Sequence, residues 1–487
     1  MTVFPRRLGE LLPEAMLPAD LASIALSGLS QDSRDLRAGD VFVALRGAVS
    51  DGHDRIGEAR AAGAVAALVE RELPDPALPV VVVPGLRDRL GELAARCYGY
   101  PARKMHITAI TGTNGKTTVC QLLAQLLRAC GYGCGAIGTL GASIDGGVAE
   151  SRHTTPDAVS LQRQLASWAQ QALPFVAMEA SSHALAQGRL DALDVDTAVF
   201  TNLSRDHLDY HGDMRAYGDA KAELLAFPSL RAAILNADDA FCAGLVDRIR
   251  DEVRVLRYGL QEQGCELRAS RVEASEKGLR FRLSSPWGDG LVRTPLVGSF
   301  NVSNLLAALA AALEAGMPFD DVVEAAASLR PAPGRMEPLR LPAAPLVVVD
   351  YAHTPDALAK ALETLRAQCP GRLIAVFGCG GDRDRGKRAL MAEAVSAAAD
   401  YAVVTSDNPR SEDPAAIVDE IAAAMHIPFE RCVDRREAIR AALERADADD
   451  CVLIAGKGHE TYQEIAGRRA PFSDLAVARE LLEGVAA

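Results

Sequence analysis

A short apolar strand, a glycine-containing turn and a helix-forming run, joined in that order, constrain this chain more than any other feature. Residues 107–110 are mostly apolar, residues 112–118 read Gly-Thr-Asn-Gly-Lys-Thr-Thr, and a largely apolar run continues to Leu127. Glycines let backbone N–H groups turn towards phosphate oxygens, the lysine lies along the β- and γ-phosphates, and the next threonine hydroxyl can hold Mg²⁺. Ile110 stands six residues before Lys116, where the usual loop has glycine, so the loop is a variant. The sequence therefore predicts a nucleoside triphosphate site.

Length and charge limit the architecture and the partners. A chain of 487 residues is expected to form about three domains. The 52 basic residues minus the 65 acidic residues leave a net charge of −13, and the sequence contains no block of basic residues. Binding to a nucleic-acid backbone is therefore disfavoured. We expect small-molecule substrates and a monomer.

Neither the N-terminal segment nor any internal run predicts export or membrane insertion. No apolar segment follows Arg6 and Arg7, and the alanine-rich run 59–69 is far shorter than the ~20 apolar residues of a spanning helix. The cysteines are scattered, without a CxxC pair or a histidine at zinc-binding spacing. We expect buried thiols in a reducing compartment and a cytoplasmic protein. The cysteines are Cys97, Cys120, Cys130, Cys134, Cys242, Cys265, Cys369, Cys379, Cys432 and Cys451.

Hydrophobic patterning divides the chain into three α/β domains. Residues 1–102 combine short β-rich runs with an alanine-rich helix, which predicts a small N-terminal domain. In residues 103–335, buried strands alternate with helical stretches, which predicts a parallel sheet covered by helices around the phosphate loop. A segment at 331–334 with two prolines and a glycine indicates a hinge. Residues 336–487 repeat the alternation with four more strands, so a Rossmann-like α/β domain is expected.

Polar residues recur where strands of the central domain end, which is where ligands gather in open α/β sheets. Glu179 directly follows the apolar run 175–178, so its carboxylate could bind Mg²⁺; a solvated glutamate in a helix-capping segment is the alternative. Residues 206–211 contain two aspartates and two histidines, which indicates a dense polar site unless the histidines are structural or on the surface. Lys221 follows on a helix, where a lysine is ordinarily solvent-facing.

Strand ends in the third domain also carry charged groups. The segments are 350–356, 378–388, 406–410 and 456–460. The Gly-Cys-Gly-Gly run at 378–381 lacks the G-x-G-x-x-G spacing of a dinucleotide-binding turn, so an NAD site is disfavoured. The arginine-rich stretch 383–388 could be a solvated charge run, but its position after a buried strand favours a binding role.

Several long motifs resemble those of one enzyme family. The similarity is to the Mur ligases, the amide-forming enzymes of peptidoglycan precursor synthesis, and it spans nearly the whole chain. The motifs that carry it are residues 111–118, 178–183, 201–212, 334–336 and 350–355, together with Asn301. Asp407-Asn408-Pro409-Arg410 resembles the motif of the members that add meso-diaminopimelate. The family has three domains, one for the UDP-sugar, one for ATP and one that closes over the amino acid.

The resemblance implies an ATP-dependent ligase that joins meso-diaminopimelate to the D-glutamate of UDP-N-acetylmuramoyl-L-alanyl-D-glutamate through an acyl phosphate. Mg²⁺ is the implied cofactor and ATP a co-substrate. The implied catalytic residues are Lys116, Lys221, His207 and Glu179, and the implied metal ligands are Thr117, Glu179, His207 and Lys221, the last as a carbamate. The implied ATP-binding residues are Gly112, Thr113, Asn114, Gly115, Lys116, Thr117, Thr118, Asn301, Arg335, Asp350 and His353.

The same resemblance implies binding positions for the other two substrates. For the UDP-sugar-peptide they are Ser33, Thr154, Thr155, Ser181, Gln187 and Arg189. The chain departs from the family at His153, where relatives often have asparagine, and at Ala48-Val49-Ser50, which replaces a more polar tripeptide on the uridine side. For diaminopimelate they are Arg383, Asp407, Asn408, Pro409, Arg410, Gly456 and Glu460. Guanidinium groups suit the distal carboxylate, whereas Asp407 and Glu460 suit the distal ammonium.

Two other functions share part of this pattern. A ligase like folylpolyglutamate synthetase would use the same ATP loop and acyl-phosphate chemistry, but the sequence shows no pterin-site signature and residues 407–410 argue against it. A non-catalytic nucleotide switch would keep the loop without needing Glu179, Lys221 and the amino-acid motif together. ADP release that requires both co-substrates would separate the ligase from the switch.

Overall fold

The computed structural model describes residues 6–47, 50–144, 147–149, 153–261, 264–275, 278–342 and 344–485. They form three α/β units in chain order, each on its own β-sheet, and a small hairpin near the C-terminal end. Ala48 and Val49 of the uridine-side tripeptide lie outside the described residues. Within the described ranges, no helix is long and apolar enough to cross a membrane.

The N-terminal unit is a four-stranded parallel sheet flanked by helices. Its strands are β1 (Gly28–Ser30), β2 (Asp40–Ala44), β3 (Ala66–Val69) and β4 (Val80–Val82), paired in chain order. Its helices are α1 (Leu8–Leu11), α2 (Ala19–Ala22), α3 (Ile56–Ala61) and α4 (Leu86–Cys97), with 3₁₀ turns at Gly52–Arg55 and Pro101–Lys104. Strands β2 and β3 are buried along their length because apolar side chains cover both faces of the sheet.

The central unit contains an eleven-stranded sheet. Its strands are β5 (His106–Thr111), β6 (Cys134–Gly138), β7 (Gly141–Ile144), β8 (Gly147–Ala149), β9 (Phe175–Glu179), β10 (Thr197–Phe200), β11 (Ala232–Asn236), β12 (Arg254–Gly259), β13 (Leu267–Ser275), β14 (Gly278–Ser285) and β15 (Gly288–Thr294). Its helices are α5 (Lys116–Ala129), α6 (Ala158–Gln170), α7 (Ser182–Ala186), α8 (Leu208–His211), α9 (Met214–Ala222), α10 (Ala240–Ala243), α11 (Phe300–Glu314) and α12 (Phe319–Ala325). Short 3₁₀ turns lie at Glu223–Ala226, Val246–Arg248 and Ala326–Ser328.

The middle of this sheet is parallel, in the order β13-β12-β11-β10-β5-β9-β6, and antiparallel strands extend both edges. One hydrophobic core lies between the sheet and helices α5 and α11, and a second covers the opposite face with α6. Helix α11 is buried over most of its circumference, which explains its nearly continuous apolar sequence. Strand β5 lies next to the central strand, β10, so the phosphate loop leaves the sheet near its middle.

The C-terminal unit has a six-stranded sheet in which only the first edge strand is antiparallel. In chain order the strands are β16 (Glu337–Leu339), β17 (Leu346–Asp350), β18 (Leu373–Phe377), β19 (Tyr401–Val404), β20 (Phe429–Arg431) and β21 (Cys451–Ala455), and the sheet order is β16-β17-β21-β18-β19-β20. The helices are α13 (Pro355–Arg366), α14 (Lys387–Ala398), α15 (Pro414–Ala422), α16 (Arg435–Arg445) and α17 (Asp474–Val485). A hairpin, β22 (Tyr462–Ile465) with β23 (Arg468–Pro471), precedes α17.

The predicted fold class, α/β with a small N-terminal unit, a central parallel sheet around the P-loop and a Rossmann-like C-terminal unit, is confirmed. Strand β6 was not predicted, because two of its five residues are glycines and its apolar signal is weak. None of the ten cysteines, all of which lie in the described residues, forms a disulfide. The prediction that they are buried is wrong for four of them, which are partly exposed: Cys130, Cys265, Cys369 and Cys432.

Candidate active site

The phosphate loop joins β5 to α5, and two of its glycines have no space for a side chain. Gly112 has φ +144°, and a Cβ there would lie 1.9 Å from the Thr201 hydroxyl oxygen. Gly115 has φ +87°, and a Cβ there would lie 2.5 Å from Asn304 Oδ1. Glycine alone combines these backbone angles with so close an approach. The loop is therefore pressed against the end of β10 on one side and α11 on the other.

Two lysines meet at the start of this loop. Lys116 Nζ donates to the carbonyl oxygens of Gly112 and Thr113 at 2.8 and 2.9 Å, and Lys221 Nζ donates to that of Gly112 at 2.8 Å. Lys221 is 1% exposed, and its ammonium lies 4.3 Å from the centre of the Tyr217 ring. Burial, followed by the charge of Lys116, holds the pKa of Lys221 well below its usual value. The alternative of a solvent-facing Lys221 is wrong.

Glu179 ends β9 beside the loop and is 1% exposed. Its carboxylate accepts hydrogen bonds from the Thr139 N–H at 2.8 Å and the Thr139 hydroxyl at 3.2 Å. A Cβ on Gly138 would lie 2.1 Å from Glu179 Oε1, so the neighbouring strand accommodates the carboxylate only because it carries glycine there. Burial lowers the pKa of Lys116, and the Glu179 charge opposes that shift. The alternative of a solvated Glu179 is wrong.

Arg335 extends from the hinge to the first turn of α5. Its guanidinium donates to Thr117 Oγ1 at 3.1 Å and stacks over the Tyr351 ring at 4.4 Å. Asp350, at the end of β17, accepts a hydrogen bond from the Met336 N–H at 2.6 Å, and burial raises the pKa of Asp350. The hinge thus brings Arg335 next to the threonine expected to bind Mg²⁺, and Asp350 binds the backbone of the residue that follows Arg335.

Asp206 connects the central unit to the C-terminal unit. Its carboxylate lies 3.4 Å from His207 Nε2 in the same loop. Two groups of the C-terminal unit also reach it, His353 Nε2 and Lys387 Nζ, each at 3.7 Å. His353 Nδ1 donates to the Tyr351 carbonyl at 2.7 Å, which leaves Nε2 to face the carboxylate. Burial alone would raise the pKa of Asp206, but the three neighbouring groups hold it well below its usual range.

His207 has a left-handed backbone, φ +55°, immediately before α8. Burial lowers the pKa of His207 to about 3. The His183 ring lies 4.8 Å away, edge to face, and burial lowers its pKa to about 4. Both imidazoles are therefore neutral at pH 7, and a neutral imidazole is the form that can ligate a metal ion.

Two further contacts cross between the central and C-terminal units. The Arg205 guanidinium forms a two-pronged ion pair with Asp384, at 3.0 and 3.3 Å. Asn114 of the phosphate loop donates to Asp356 on α13 at 3.0 Å. Together with the Asp206 contacts, they hold the C-terminal unit against residues 112–118, the predicted phosphate loop.

Asn301 lies in the first turn of α11 and is linked to the loop through a neighbour. Its Nδ2 donates to the Val297 carbonyl at 2.6 Å, and its Oδ1 accepts from Asn304 Nδ2 at 3.0 Å. Asn304 in turn lies against Gly115. The structure therefore places Asn301 one residue away from the phosphate loop.

Most of the residues expected to bind the UDP-sugar-peptide form one connected patch on the central unit. The Thr155 hydroxyl donates to the Glu179 carbonyl at 2.8 Å, and its oxygen lies 3.2 Å from Ser181 Oγ. Arg189 donates to the Thr155 carbonyl at 2.9 Å and to Gln187 Oε1 at 3.0 and 2.6 Å. The patch extends through Thr154, whose hydroxyl oxygen lies 3.2 Å from that of Thr139.

Ser33, the remaining residue of that set, belongs to the N-terminal unit. Its hydroxyl donates to Glu58 Oε2 at 3.3 Å. The neighbouring Asp32 binds the Arg34 guanidinium at 2.8 and 2.6 Å, which fixes the turn that carries Ser33.

The residues expected to bind the amino acid gather around a buried lysine. Lys457 Nζ, which is fully buried, donates to Asn408 Oδ1 at 2.9 Å and to Glu460 Oε2 at 3.0 Å. Asn408 Nδ2 also donates to Glu460 Oε2, at 2.8 Å. Asp407 Oδ1 is buried and, among the described residues, accepts no hydrogen bond. A Cβ on Gly456, at φ +116°, would lie 2.9 Å from the other carboxylate oxygen of Asp407, so a side chain there would crowd it.

The two arginines of that set lie on the same side of the C-terminal unit. Arg410, which follows Pro409, has φ +53° and donates to the Gly381 carbonyl at 2.7 Å. Arg383 lies 3.9 Å from Asp209 of the central unit. Its neighbours Lys387 and Arg388 are buried, so the alternative of a wholly solvated charge run at 383–388 is wrong.

Three residues at the site were missed in the sequence. They are Thr139, which binds Glu179; Lys387, which faces Asp206; and Lys457, which holds Asn408 and Glu460. Lys387 and Lys457 both lie in charged segments after buried strands, so their position was a usable signal. Thr139 follows a glycine-containing strand and carries no such signal.

Comparison with known proteins is consistent with this geometry. Three family models match in chain order: the Mur ligase family catalytic domain at residues 25–98, the Mur ligase middle domain at 110–312, and the Mur ligase glutamate ligase domain at 334–458. The chain belongs to the Mur ligase family. Two relatives carry the name UDP-N-acetylmuramoyl-L-alanyl-D-glutamate–2,6-diaminopimelate ligase. That of Ectopseudomonas mendocina is 48% identical over 96% of this chain and 97% of its own, and that of Pseudomonas aeruginosa is 46% identical over 98% of each.

Solved structures show the same architecture as this Mur ligase. A UDP-N-acetylmuramoyl-L-alanyl-D-glutamate–2,6-diaminopimelate ligase matches over 99% of both chains, with a TM-score of 0.69 and 40% identity. MurF from Acinetobacter baumannii matches with a TM-score of 0.72 over 99% of both chains, and at 20% identity it shows the fold alone. A Mycobacterium tuberculosis folylpolyglutamate synthase, at 22% identity and a TM-score of 0.63 over 76% of this chain and 92% of its own, likewise shares only the fold.

Proposed function

We propose that this protein joins meso-diaminopimelate to the side-chain carboxylate of D-glutamate in UDP-N-acetylmuramoyl-L-alanyl-D-glutamate, with conversion of ATP to ADP and phosphate. The observation that carries the proposal is the approach of the C-terminal unit to the phosphate loop, through Asp206, Arg205 and Asn114. A ligase needs such an approach because an activated carboxylate and an amine must meet away from water. High identity over the full length to ligases of that name supports the same substrates.

The reaction divides into two balanced steps. The glutamate carboxylate oxygen attacks the γ-phosphorus of ATP, so an acyl phosphate forms and ADP leaves. The amine of diaminopimelate then attacks the acyl carbon, and the tetrahedral intermediate expels phosphate as the amide forms and the amine loses a proton. Lys116 supplies the positive charge that follows the transferring phosphoryl group once ATP replaces the loop carbonyls as its acceptor.

The residues around the loop suit Mg²⁺. Thr117 and Glu179 offer buried oxygen ligands beside Lys116, which a hard divalent ion prefers, and His207 offers a neutral nitrogen. When bound, Mg²⁺ neutralises charge on the triphosphate. We propose these residues, with Lys221 as a carbamate, as the metal ligands.

Lys221 is suited to carbamylation because its amine is buried and its pKa is held far below the usual value. A neutral amine can attack carbon dioxide, with loss of one proton, to give an anionic carbamate. That product offers an oxygen ligand to a cation, which an ammonium group cannot.

For the amino acid, we propose that Arg383 and Arg410 hold the distal carboxylate and that Asp407 and Glu460 hold the distal ammonium. The buried Oδ1 of Asp407 supports this role: it lies 3.7 Å from Lys457 Nζ but accepts no hydrogen bond among the described residues, so it can accept one from a ligand. Asn408, Pro409 and Gly456 shape the same pocket.

We propose that the UDP-sugar-peptide binds Ser33 and the patch formed by Thr154, Thr155, Ser181, Gln187 and Arg189. ATP is proposed to bind residues 112–118, with Asn301, Arg335, Asp350 and His353. We also propose domain limits of 1–102, 103–335 and 336–487, a cytoplasmic location and a monomeric state.

A phosphate-release assay tests the function directly. The purified protein is given ATP with Mg²⁺, the UDP-muramoyl dipeptide, and either meso-diaminopimelate, L-lysine or no amino acid. Release that needs both the dipeptide and meso-diaminopimelate, with a product heavier by one diaminopimelate residue, supports the ligase. Release with ATP alone would support a nucleotide switch, and release with a folate and glutamate would support the folylpolyglutamate alternative.

A further inference from the structure

Two cysteines of the C-terminal unit lie against each other at the amino end of its sheet. Cys451 is the first residue of β21, and Cys369 lies in the turn between α13 and β18. The Cys451 N–H and the Cys369 thiol donate to the same acceptor, the carbonyl oxygen of Arg372, at 2.9 and 3.3 Å. Both side chains also belong to one hydrophobic cluster, in which Cys451 is buried and Cys369 packs against it.

The surrounding backbone holds this pair together. The Gly371 N–H donates to the Asp449 carbonyl at 3.0 Å, and a Cβ on Gly371 would lie 2.4 Å from Asp450 Oδ1. Asp450 binds the Arg372 N–H at 2.6 Å and the Arg372 guanidinium at 3.1 and 2.7 Å. The turn that carries Cys369 is thus fastened to the segment that carries Cys451. Preorganisation of this kind raises the effective concentration of one reacting group at the other.

The two thiols differ in access to solvent. Cys369 is partly exposed, whereas Cys451 is 2% exposed and lies in the wall of a cavity of about 720 Å³ between the central and C-terminal units. Burial raises the pKa of Cys451 to about 12, so this thiol stays protonated at pH 7. Cys369 is therefore the sulfur that a small oxidant meets first.

We propose that Cys369 and Cys451 form an oxidation-sensitive dithiol that closes to a disulfide when the protein meets a peroxide. The Cys369 sulfur attacks one peroxide oxygen and the O–O bond breaks, which yields a sulfenic acid and water. The Cys451 sulfur then displaces the sulfenic hydroxyl group, which leaves with the thiol proton as a second water. Hydrogen peroxide is the two-electron oxidant, and the two thiols are oxidised together.

The disulfide stabilises the C-terminal unit without changing turnover. It closes the loop from residue 369 to residue 451, and a cross-link over a long loop disfavours the unfolded chain. Cys451 begins β21, whereas Gly456 of the proposed amino-acid pocket follows the other end of the strand, five residues and about 16 Å away. The disulfide therefore lies at the edge of the C-terminal sheet opposite the proposed active site.

The experiment treats the full-length protein with hydrogen peroxide and then blocks the remaining thiols. We expect the count of titratable thiols to fall from ten to eight, since two are consumed, and the intact mass to fall by about 2 Da. Peptide mapping without reductant should recover one cross-linked pair, 369 with 451, and dithiothreitol should reverse it. The melting temperature should rise by several degrees with an unchanged rate in any assay of activity.

Matched variants test whether the pair acts as a unit. Cys369→Ser should prevent the loss of mass and the rise in melting temperature, and so should Cys451→Ala. Cys432→Ser, which removes another partly exposed thiol that bonds a backbone carbonyl, should leave both responses intact. Recovery of Cys369 as a sulfinic or sulfonic acid, or its cross-linking to any other cysteine, would overturn the proposal. If Cys451→Ala fails to fold, peptide mapping of the Cys369→Ser protein and the wild type still decides the matter.

Discussion

Lys116 and Lys221 donate to one acceptor, the carbonyl oxygen of Gly112, each at 2.8 Å. Two ammonium groups on one oxygen repel each other, and the charge of Lys116 contributes to the low pKa of Lys221. Conversion of Lys221 to a carbamate would replace this repulsion by attraction. The phosphate loop therefore contains a structural reason for one of its two lysines to lose its positive charge.

Replacement of Lys116 by alanine should abolish turnover and preserve the fold. The loop would lose the point charge placed to follow the transferring phosphoryl group, so we expect kcat to fall roughly a thousandfold or more. Steady-state ADP release measures the loss, and thermal unfolding verifies the fold. Lys104→Ala, at an exposed site in the turn before β5, serves as the control. Near-normal ADP release from a folded Lys116→Ala protein would contradict the assignment.

Replacement of Lys221 by alanine should remove activity that small carboxylates partly restore. Acetate or formate can place an oxygen where the carbamate would supply one. Activity is measured against carboxylate concentration for Lys221→Ala and for Lys221→Arg, which keeps the positive charge and fills the space. We expect added carboxylates to restore part of the activity of Lys221→Ala but none of that of Lys221→Arg. Full activity of Lys221→Ala without added carboxylate would exclude the carbamate.

Arg410 should set the preference for meso-diaminopimelate over L-lysine. L-Lysine lacks the distal carboxylate, so its binding leaves the charged Arg410 guanidinium unpaired. We therefore expect kcat/KM for meso-diaminopimelate to exceed that for L-lysine on the order of a thousandfold. Glu412 and Asp413, the acidic residues that follow Arg410 in sequence, are already engaged by Arg388 and by the Ala415 N–H. The measurement is kcat/KM for both amino acids in the wild type and in Arg410→Ala. An unchanged preference in the variant would remove Arg410 from this role.

Replacement of Lys387 by methionine should weaken the approach of the two units. Methionine fills similar space but removes the charge that faces Asp206 at 3.7 Å, so we expect kcat/KM to fall about tenfold. Small-angle scattering with ATP and the dipeptide bound should show a larger radius of gyration than the wild type. Arg385→Met is the matched control, because Arg385 is exposed and pairs with Glu420 on its own unit. Equal effects of the two substitutions would contradict a specific role for Lys387.

Stability should decrease on mild acidification because three partly buried histidines are neutral in the folded protein. Burial lowers the pKa of His207 to about 3, and those of His183 and His459 to about 4. A histidine whose pKa is lower in the folded than in the unfolded state takes up a proton on unfolding. The free energy of unfolding therefore falls as pH drops below about 6.5 and levels off near the folded pKa values. We expect the melting temperature to fall by several degrees between pH 6.5 and 4.5.

The control for this prediction is His183→Gln, which removes one of the three titrating groups. The variant should show a shallower decrease over the same pH interval, whatever its melting temperature at pH 7. A decrease as steep as that of the wild type would show that other groups take up the protons.

Local signals located much of the site in the sequence because they depend on neighbours along the chain. Apolar runs followed by glycine or charged residues marked the ends of β5, β9, β18 and β21, and ligand groups in a parallel sheet lie at those ends. The same reasoning could not decide whether Glu179 and Lys221 are solvated, since burial depends on what packs over a residue. Gly138 leaves room for the Glu179 carboxylate, and the Tyr217 ring covers the Lys221 ammonium.

The sequence by itself determined the α/β class, the nucleotide loop and, through its motifs, the family. Periodicity, glycine positions and charged strand ends are written in adjacent residues and need no long-range information. Only the tertiary structure decided that Lys116 and Lys221 share one acceptor, that Lys387 faces Asp206 across two units, and that Cys369 and Cys451 share a backbone acceptor and a hydrophobic cluster. These partners are separated by 82 to 181 residues, and no local pattern encodes which distant segments a packed core brings together.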